Sequence, residues 1–212
     1  MKRTFLLLAL LAPVIISAQV KLGVIIGYHS TNIGSYDLVE SHNIGNVLVG
    51  MVSEYRIAKS SFHIGGQAVY TTMGYGESNI QSRDKSGNPL GRIDLHRIGY
   101  VKVPVYLLYA AETKAIKIKM GVGPFVAIQT GDKLKTDGGE SFGNGTALPL
   151  QTKRINPVLY GAYMQGGIEW SSFDFSFHFS PNFNGLYQNQ SSVGLKWKAA
   201  AYGFSISYFF KR

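Results

Sequence analysis

His178, Phe179 and Ser180, followed by Asn182, form the segment whose residue types come nearest to nucleophilic chemistry. If the segment is a β-strand, residues two apart share a face, and the imidazole of His178 sits beside the hydroxyl of Ser180 as a general base must sit beside its nucleophile. Metal chemistry has weaker material. His29, His42, His63, His96 and His178 fall in five separate segments with no short ligand spacing, and the chain has no cysteine. Asp132, Asp137 and Glu140 lie close together but lack the regular spacing of a calcium loop. The glycine-rich run from Gly161 to Gly167 sits inside an extended segment rather than between a strand and a helix, so it is no phosphate cradle. Neither a metal nor a cofactor is expected.

The elements that must carry these residues have a period of two. From Phe173 to Asn184 large apolar residues (Phe173, Phe175, Phe177, Phe179, Phe183) alternate with small or polar ones, and only a strand puts such sets on opposite faces. Ile116, Ile118, Met120, Val122, Val126 and Ile128 alternate likewise with Lys117, Lys119, Gly121, Gly123, Phe125, Ala127 and Gln129. Weaker versions run over Val20 to His29, Val47 to Ile57, Phe62 to Met73, Ile98 to Tyr109, Val158 to Trp170 and Ala201 to Phe210, which makes eight strands. The connections alternate too. Those at 58–61, 110–115 and 171–172 are short, whereas those at 30–46, 74–97, 130–157 and 185–200 are long and hold the turn formers and many charges. Short turns at one end, long loops at the other and an even strand count predict an all-β fold, an eight-stranded antiparallel up-and-down transmembrane β-barrel.

A soluble eight-stranded barrel with a ligand cavity also alternates, and the composition of the polar face separates the two. Facing bulk water, it would be rich in Lys, Glu, Asp and Arg; here it is mostly Gly, Ser, Asn, Gln and His, with Gly23, Gly27, Gly50, Gly65, Gly121, Gly123, Gly167 and Gly203 on that side. Small side chains suit the crowded interior of a narrow barrel. The apolar face adds two aromatic girdles: Tyr55, Phe62, Tyr109, Trp170, Phe173, Tyr208 and Phe210 near the short turns, and Tyr28, Tyr70, Tyr160, Phe183 and Tyr202 near the long loops.

The first 18 residues read as an export signal: Lys2 and Arg3, an apolar stretch from Phe5, and small residues at Ser17 and Ala18 before Gln19. The barrel domain is then 19–212. Its net charge is +9 less the two of Lys2 and Arg3, or +7. No run of Lys or Arg exceeds two residues, so no nucleic-acid partner is expected. Charged residues make up only 16% of the chain against about 25% in ordinary soluble proteins.

Inside the barrel the pattern places Glu54, Arg56, His63, Gln67, Lys102, Lys117, Lys119, Glu169, Asp174, His178 and Asn182. Charges in so narrow a space need partners, which predicts a network with Glu54, Glu169 and Asp174 among the partners of Arg56, Lys102 and the Lys117/Lys119 pair. Such a network is either a plug that fixes the shape of the barrel or a polar path for small solutes. Eight strands leave an interior that side chains fill, which favours the plug over a narrow porin-like channel. The same pattern turns His178 and Ser180 inward, while Phe175, Phe177 and Phe179 hold the lipid side, so an enzyme acting on lipid is not expected.

Several motifs resemble a known family. Tyr100-Val101-Lys102-Val103-Pro104, Gly121-Val122-Gly123-Pro124-Phe125, Gly166-Gly167-Ile168-Glu169 and the closing aromatic strand are similar, in order and spacing, to the PorT-like outer-membrane β-barrel family. That family usually has a carboxylate where Lys102 stands, an aspartate early in the sixth strand, and often a basic-aromatic pair where this chain has His178-Phe179. The resemblance implies an integral barrel of the Gram-negative outer membrane and says little about activity. His178-Phe179-Ser180 also resembles the His-x-Ser-Asn motif of outer-membrane lipid A deacylases, interrupted by Pro181. The last strand, Tyr202 to Phe210, resembles the C-terminal signal read by barrel-assembly machinery, although Ala201 replaces a polar residue and Lys211-Arg212 follow the aromatic. The expected partners are outer-membrane lipids, that machinery during biogenesis, and a protein or glycan at the extracellular loops. The second and third loops, with Arg83, Lys85, Arg92, Arg97, Lys133, Lys135, Lys153 and Arg154 against Glu77, Asp84, Asp94, Asp132, Asp137 and Glu140, carry an excess of two positive charges suited to an acidic surface.

Overall fold

Period-two alternation resolves into strands that close on themselves. The computed structural model describes residues 20–33, 41–79, 92–136, 156–186 and 199–210. Eight long strands make the wall: β1 (Val20–Ile33), β3 (Ile44–Arg56), β4 (Phe62–Asn79), β5 (Arg92–Glu112), β6 (Lys117–Thr136), β7 (Val158–Trp170), β8 (Phe173–Pro181) and β9 (Ala199–Phe209). Every neighbouring pair is antiparallel, and the first strand pairs with the last, from Gly23 opposite Phe209 to Ile33 opposite Ala199. That seam leaves no free edge within the wall, as a spanning sheet requires. Gly203 faces inward there, and a Cβ on it would run into the backbone oxygen of Tyr28, so close approach of the two strands depends on its missing side chain.

The short turns fall where expected. In the one between β3 and β4, Ile57 N–H donates to Phe62 O at 2.9 Å, and in the two-residue turn between β7 and β8 Ser171 takes a left-handed φ of 57°. At the other end the strands outrun the alternation. β4 and β5 stay paired out to Asn79 opposite Arg92, and a two-residue strand β2 (Ser41–His42) pairs with β4 at Glu77 and Gly76. Much of the expected second loop is thus a hairpin rising above the wall. The export signal at 1–18 and the loop residues Arg83, Asp84, Lys85, Asp137, Glu140, Lys153 and Arg154 lie outside the described residues.

Two local irregularities bend the ladder. Pairing between β4 and β5 stops at Gly66 opposite Val105 and resumes at Val69 opposite Lys102, because Pro104 has no N–H to offer. Opposite the Gly99–Tyr100 step, Thr130 is the extra residue of a bulge in β6.

The interior is less polar than the alternation implies. Tyr100, Tyr106, Leu108, Phe125, Leu159 and Tyr163 form one buried cluster, and Ile25, Leu48, Val52, Val69 and Phe209 another. Gly65 makes room for the first, since a Cβ there would overlap the ring of Tyr106.

Candidate functional site

The outer surface comes first, because it sets the medium in which the interior works. Side chains such as Met120 (63% exposed), Phe177 (57%) and Phe204 (59%) stand outward around the wall, an apolar surface that water would not tolerate. All twelve girdle aromatics are on this face. Over its nine residues β8 climbs about 26 Å, or about 20 Å along the axis at a tilt of about 40°, most of the roughly 25 Å apolar band of a bilayer-spanning barrel.

Inside, at the short-turn end, three strands aim carboxylates at one ammonium. Lys119 Nζ donates to Glu54 Oε1 at 2.5 Å, to Asp174 Oδ2 at 2.5 Å and to Glu169 Oε2 at 3.0 Å. Glu169 also accepts from Lys21 at 2.6 Å. Glu169 pairs with Asp174 across β7 and β8, and Lys119, opposite Gly167, stands one inward position further up and reaches back to them with its long side chain. The three carboxylates come close enough together to have held a metal ion, but the ammonium occupies their centre. Half-exposed charges ring the mouth below: Lys117 pairs with Glu112 at 2.7 Å, and Arg56 approaches Glu112 at 3.8 Å while its Nε donates to Ser60 O. His63 is buried nearby, with no partner for its Nε2 among the described residues.

The middle layer is neutral. Gln67 Nε2 donates to the hydroxyls of Tyr106 and Tyr163, both at 3.2 Å, and reaches Gln165 Oε1 at 3.3 Å. Above it, Lys102 Nζ donates to Ser180 Oγ at 2.6 Å and lies 4.5 Å from the ring centre of Phe125 and 5.2 Å from that of Tyr163. His178 stacks on Tyr163 and meets His29 edge-on at 6.0 Å; neither of its nitrogens has a partner among the described residues, nor has the side-chain amide of Asn182. His29 is fixed by Thr72 O and Thr71 Oγ1. At the mouth Leu186 is fully buried, its carbonyl accepting from Asn156 N–H, while the Asn156 carbonyl accepts from Tyr100.

Of the residues assigned to the interior, Glu54, His63, Gln67, Lys102, Lys119, Glu169, Asp174, His178 and Asn182 are buried and Arg56 and Lys117 are half-exposed at the mouth, and two pairings differ from expectation. Arg56 and Lys102 do not meet Glu54, Glu169 or Asp174. The carboxylates all lie within a few residues of the short turns, and Lys102 is too far up the barrel to reach them. Lys21 was overlooked, although its alternation with Gly23 and Ile25 points it inward. His178 and Ser180 share a face without bonding each other: Ser180 Oγ accepts from Lys102 and donates to Ala201 O at 3.3 Å. Phe175, Phe177 and Phe179 stand toward lipid.

An apolar belt between aromatic girdles around a closed antiparallel wall defines an integral β-barrel of the outer membrane. Residues 16–188 match the Outer membrane protein beta-barrel domain, and the chain belongs to that family. It resides in the Gram-negative outer membrane, with its short turns toward the periplasm and its long loops outside. Comparison with curated proteins gives no match. Among solved structures the chain is similar to the outer membrane protein OprG from Pseudomonas aeruginosa (10% identity, TM-score 0.46, 91% of this chain and 95% of that one). It is also similar to Neisserial surface protein A (10%, 0.49, 91% and 98%) and to Ail, the attachment invasion locus protein of Yersinia pestis (10%, 0.42, 90% and 98%).

Proposed function

We propose that this protein is a non-conducting, non-enzymatic platform, anchored by a filled barrel and working through the loops it holds outside the cell. The observation that carries this reading is the interior: the lumenal cavity beside Lys102 and His178 measures about 10 Å³, room for about one water. The Lys119 cluster closes the passage below it and the Leu186 segment narrows it above. A solute path needs a continuous channel, which side chains of this size on eight strands do not leave. The motifs around Lys102, Gly121 and Gly166 support a place among PorT-like barrels. The closing aromatic strand supports delivery by barrel-assembly machinery, and the basic excess of the long loops supports an acidic protein or glycan as the external partner.

Planar-bilayer recording of the purified protein tests the reading. No discrete conductance is expected. Unitary steps that change when Lys102 or Lys119 is substituted would establish a channel instead. The non-enzymatic part is checked separately: lipid A acylation in cells expressing Ser180→Ala is expected to equal that with the unaltered protein.

A further inference from the structure

Lys102 is 3% exposed, and everything around its ammonium suits a cation while carrying no charge. Ser180 Oγ already donates to Ala201 O, so it meets Lys102 with a lone pair, and the 2.6 Å separation has the length of a charge-assisted bond. The ring faces of Phe125 and Tyr163 add the attraction that aromatic quadrupoles offer to an ammonium. No carboxylate lies within ion-pair distance of it among the described residues; Glu54, Glu112, Glu169 and Asp174 are all engaged with other cations at the periplasmic end. A buried charge without a counter-charge is costly.

The small cavity adjoins this ammonium. Lys102 and His178 line it, with Ile25, Leu48 and Val69 among the apolar residues of its wall. Both ring nitrogens of His178 lack partners, and a neutral imidazole always carries one N–H to donate. We propose that this cavity is a binding site for a single halide ion, chloride in the native setting, held between Lys102 Nζ and a ring N–H of His178. Size limits the class: a space with room for about one water leaves a monatomic ion, seated with a small outward shift of the lining, as the largest anion it takes. Sign selects it too, because the nearest unbalanced charge is positive. His29, Gln67, Thr71, Tyr163 and Ser205 also line the cavity, so a water molecule is the rival occupant, and the charge on Lys102 is what favours an anion over it. The ion neutralises Lys102 and gives His178 the acceptor it lacks, completing the upper half of the plug.

The test loads the cavity during folding, so that access past the rims does not limit it. The full-length chain is unfolded in urea, refolded into detergent micelles in sodium bromide or in sodium gluconate at equal ionic strength, and crystallised. In the bromide preparation an anomalous scattering peak is expected at hydrogen-bond distance from Lys102 Nζ, absent from Lys102→Met refolded the same way. The unfolding midpoint, read from the electrophoretic shift on heating, is expected to rise by several degrees in bromide over gluconate for the parent protein and to be unchanged for Lys102→Met. No lumenal bromide peak in the parent protein, or a peak that persists in Lys102→Met, overturns the proposal. Should Lys102→Met fail to refold, the bromide peak and the bromide-gluconate difference in the parent protein decide the matter by themselves.

Discussion

Two lysines are buried in this lumen, and their surroundings are opposites. Lys119, 2% exposed, is held by three carboxylates from three strands; Lys102 is held by one hydroxyl and two aromatic rings. The periplasmic half of the barrel interior is therefore an ionic network, with one oxygen of Glu54 and the Nε2 of His63 left without partners, whereas among the described residues the outer half is built of neutral groups around Lys102 alone. The difference teaches that a narrow barrel balances charge by height, not as a whole. Groups at one level of the ladder can meet, and the carboxylates at the bottom do nothing for an ammonium near the top.

The sharpest way to break the comparison is to remove both lysines in turn. Lys119→Met strands the carboxylates of Glu54 and Asp174, leaves Glu169 to Lys21, and is expected to cost about 3–5 kcal/mol, read as the loss in urea-unfolding free energy of the refolded barrel. Ser180→Ala takes the acceptor from a charged donor and should cost about 1.5–3 kcal/mol in the same measurement. In a Lys102→Met background that loss should fall to a few tenths, so a double-mutant cycle isolates the Lys102–Ser180 bond. Glu54→Gln keeps an acceptor for Lys119 and relieves repulsion among the acids, so a change of about 1 kcal/mol or less is expected. Lys102→Met, compared in gluconate where no halide is present, exchanges an unbalanced charge for an apolar chain of similar length and should be nearly neutral, within about 1 kcal/mol. If Lys102→Met in gluconate proved as damaging as Lys119→Met, the two halves would not differ in kind.

The wall of the barrel was legible in the sequence because lipid imposes a rule on every second residue, and Phe173 to Phe179 obey it without exception. The turn rhythm and both girdles followed from the same constraint. The interior obeys a looser rule. In β5, Tyr100, Pro104, Tyr106 and Leu108 are buried although their neighbours Val101, Val103, Val105 and Leu107 are equally apolar, so alternation by polarity disappears and the aromatic layer with it. Strand ends were also hidden: Gly74 to Asn79 reads as turn-forming sequence, yet its backbone pairs with 92–97 and continues the hairpin. As for the site, which residues face inward followed from period two. Which of them meet depends on the stagger between strands far apart in the chain, such as Lys102 and Ser180, and no local pattern records that offset.

The seam between β1 and β9 closes one route into the interior. It is hydrogen-bonded along its length, and parting it within the bilayer would leave two rows of N–H and C=O groups with no water to take them. A wall that does not open sideways exchanges its contents only over the rims, past Leu186 on one side and the Lys119 network on the other. The rate at which water or a small ion enters and leaves the interior is therefore set by the groups at the two ends and not by the seam.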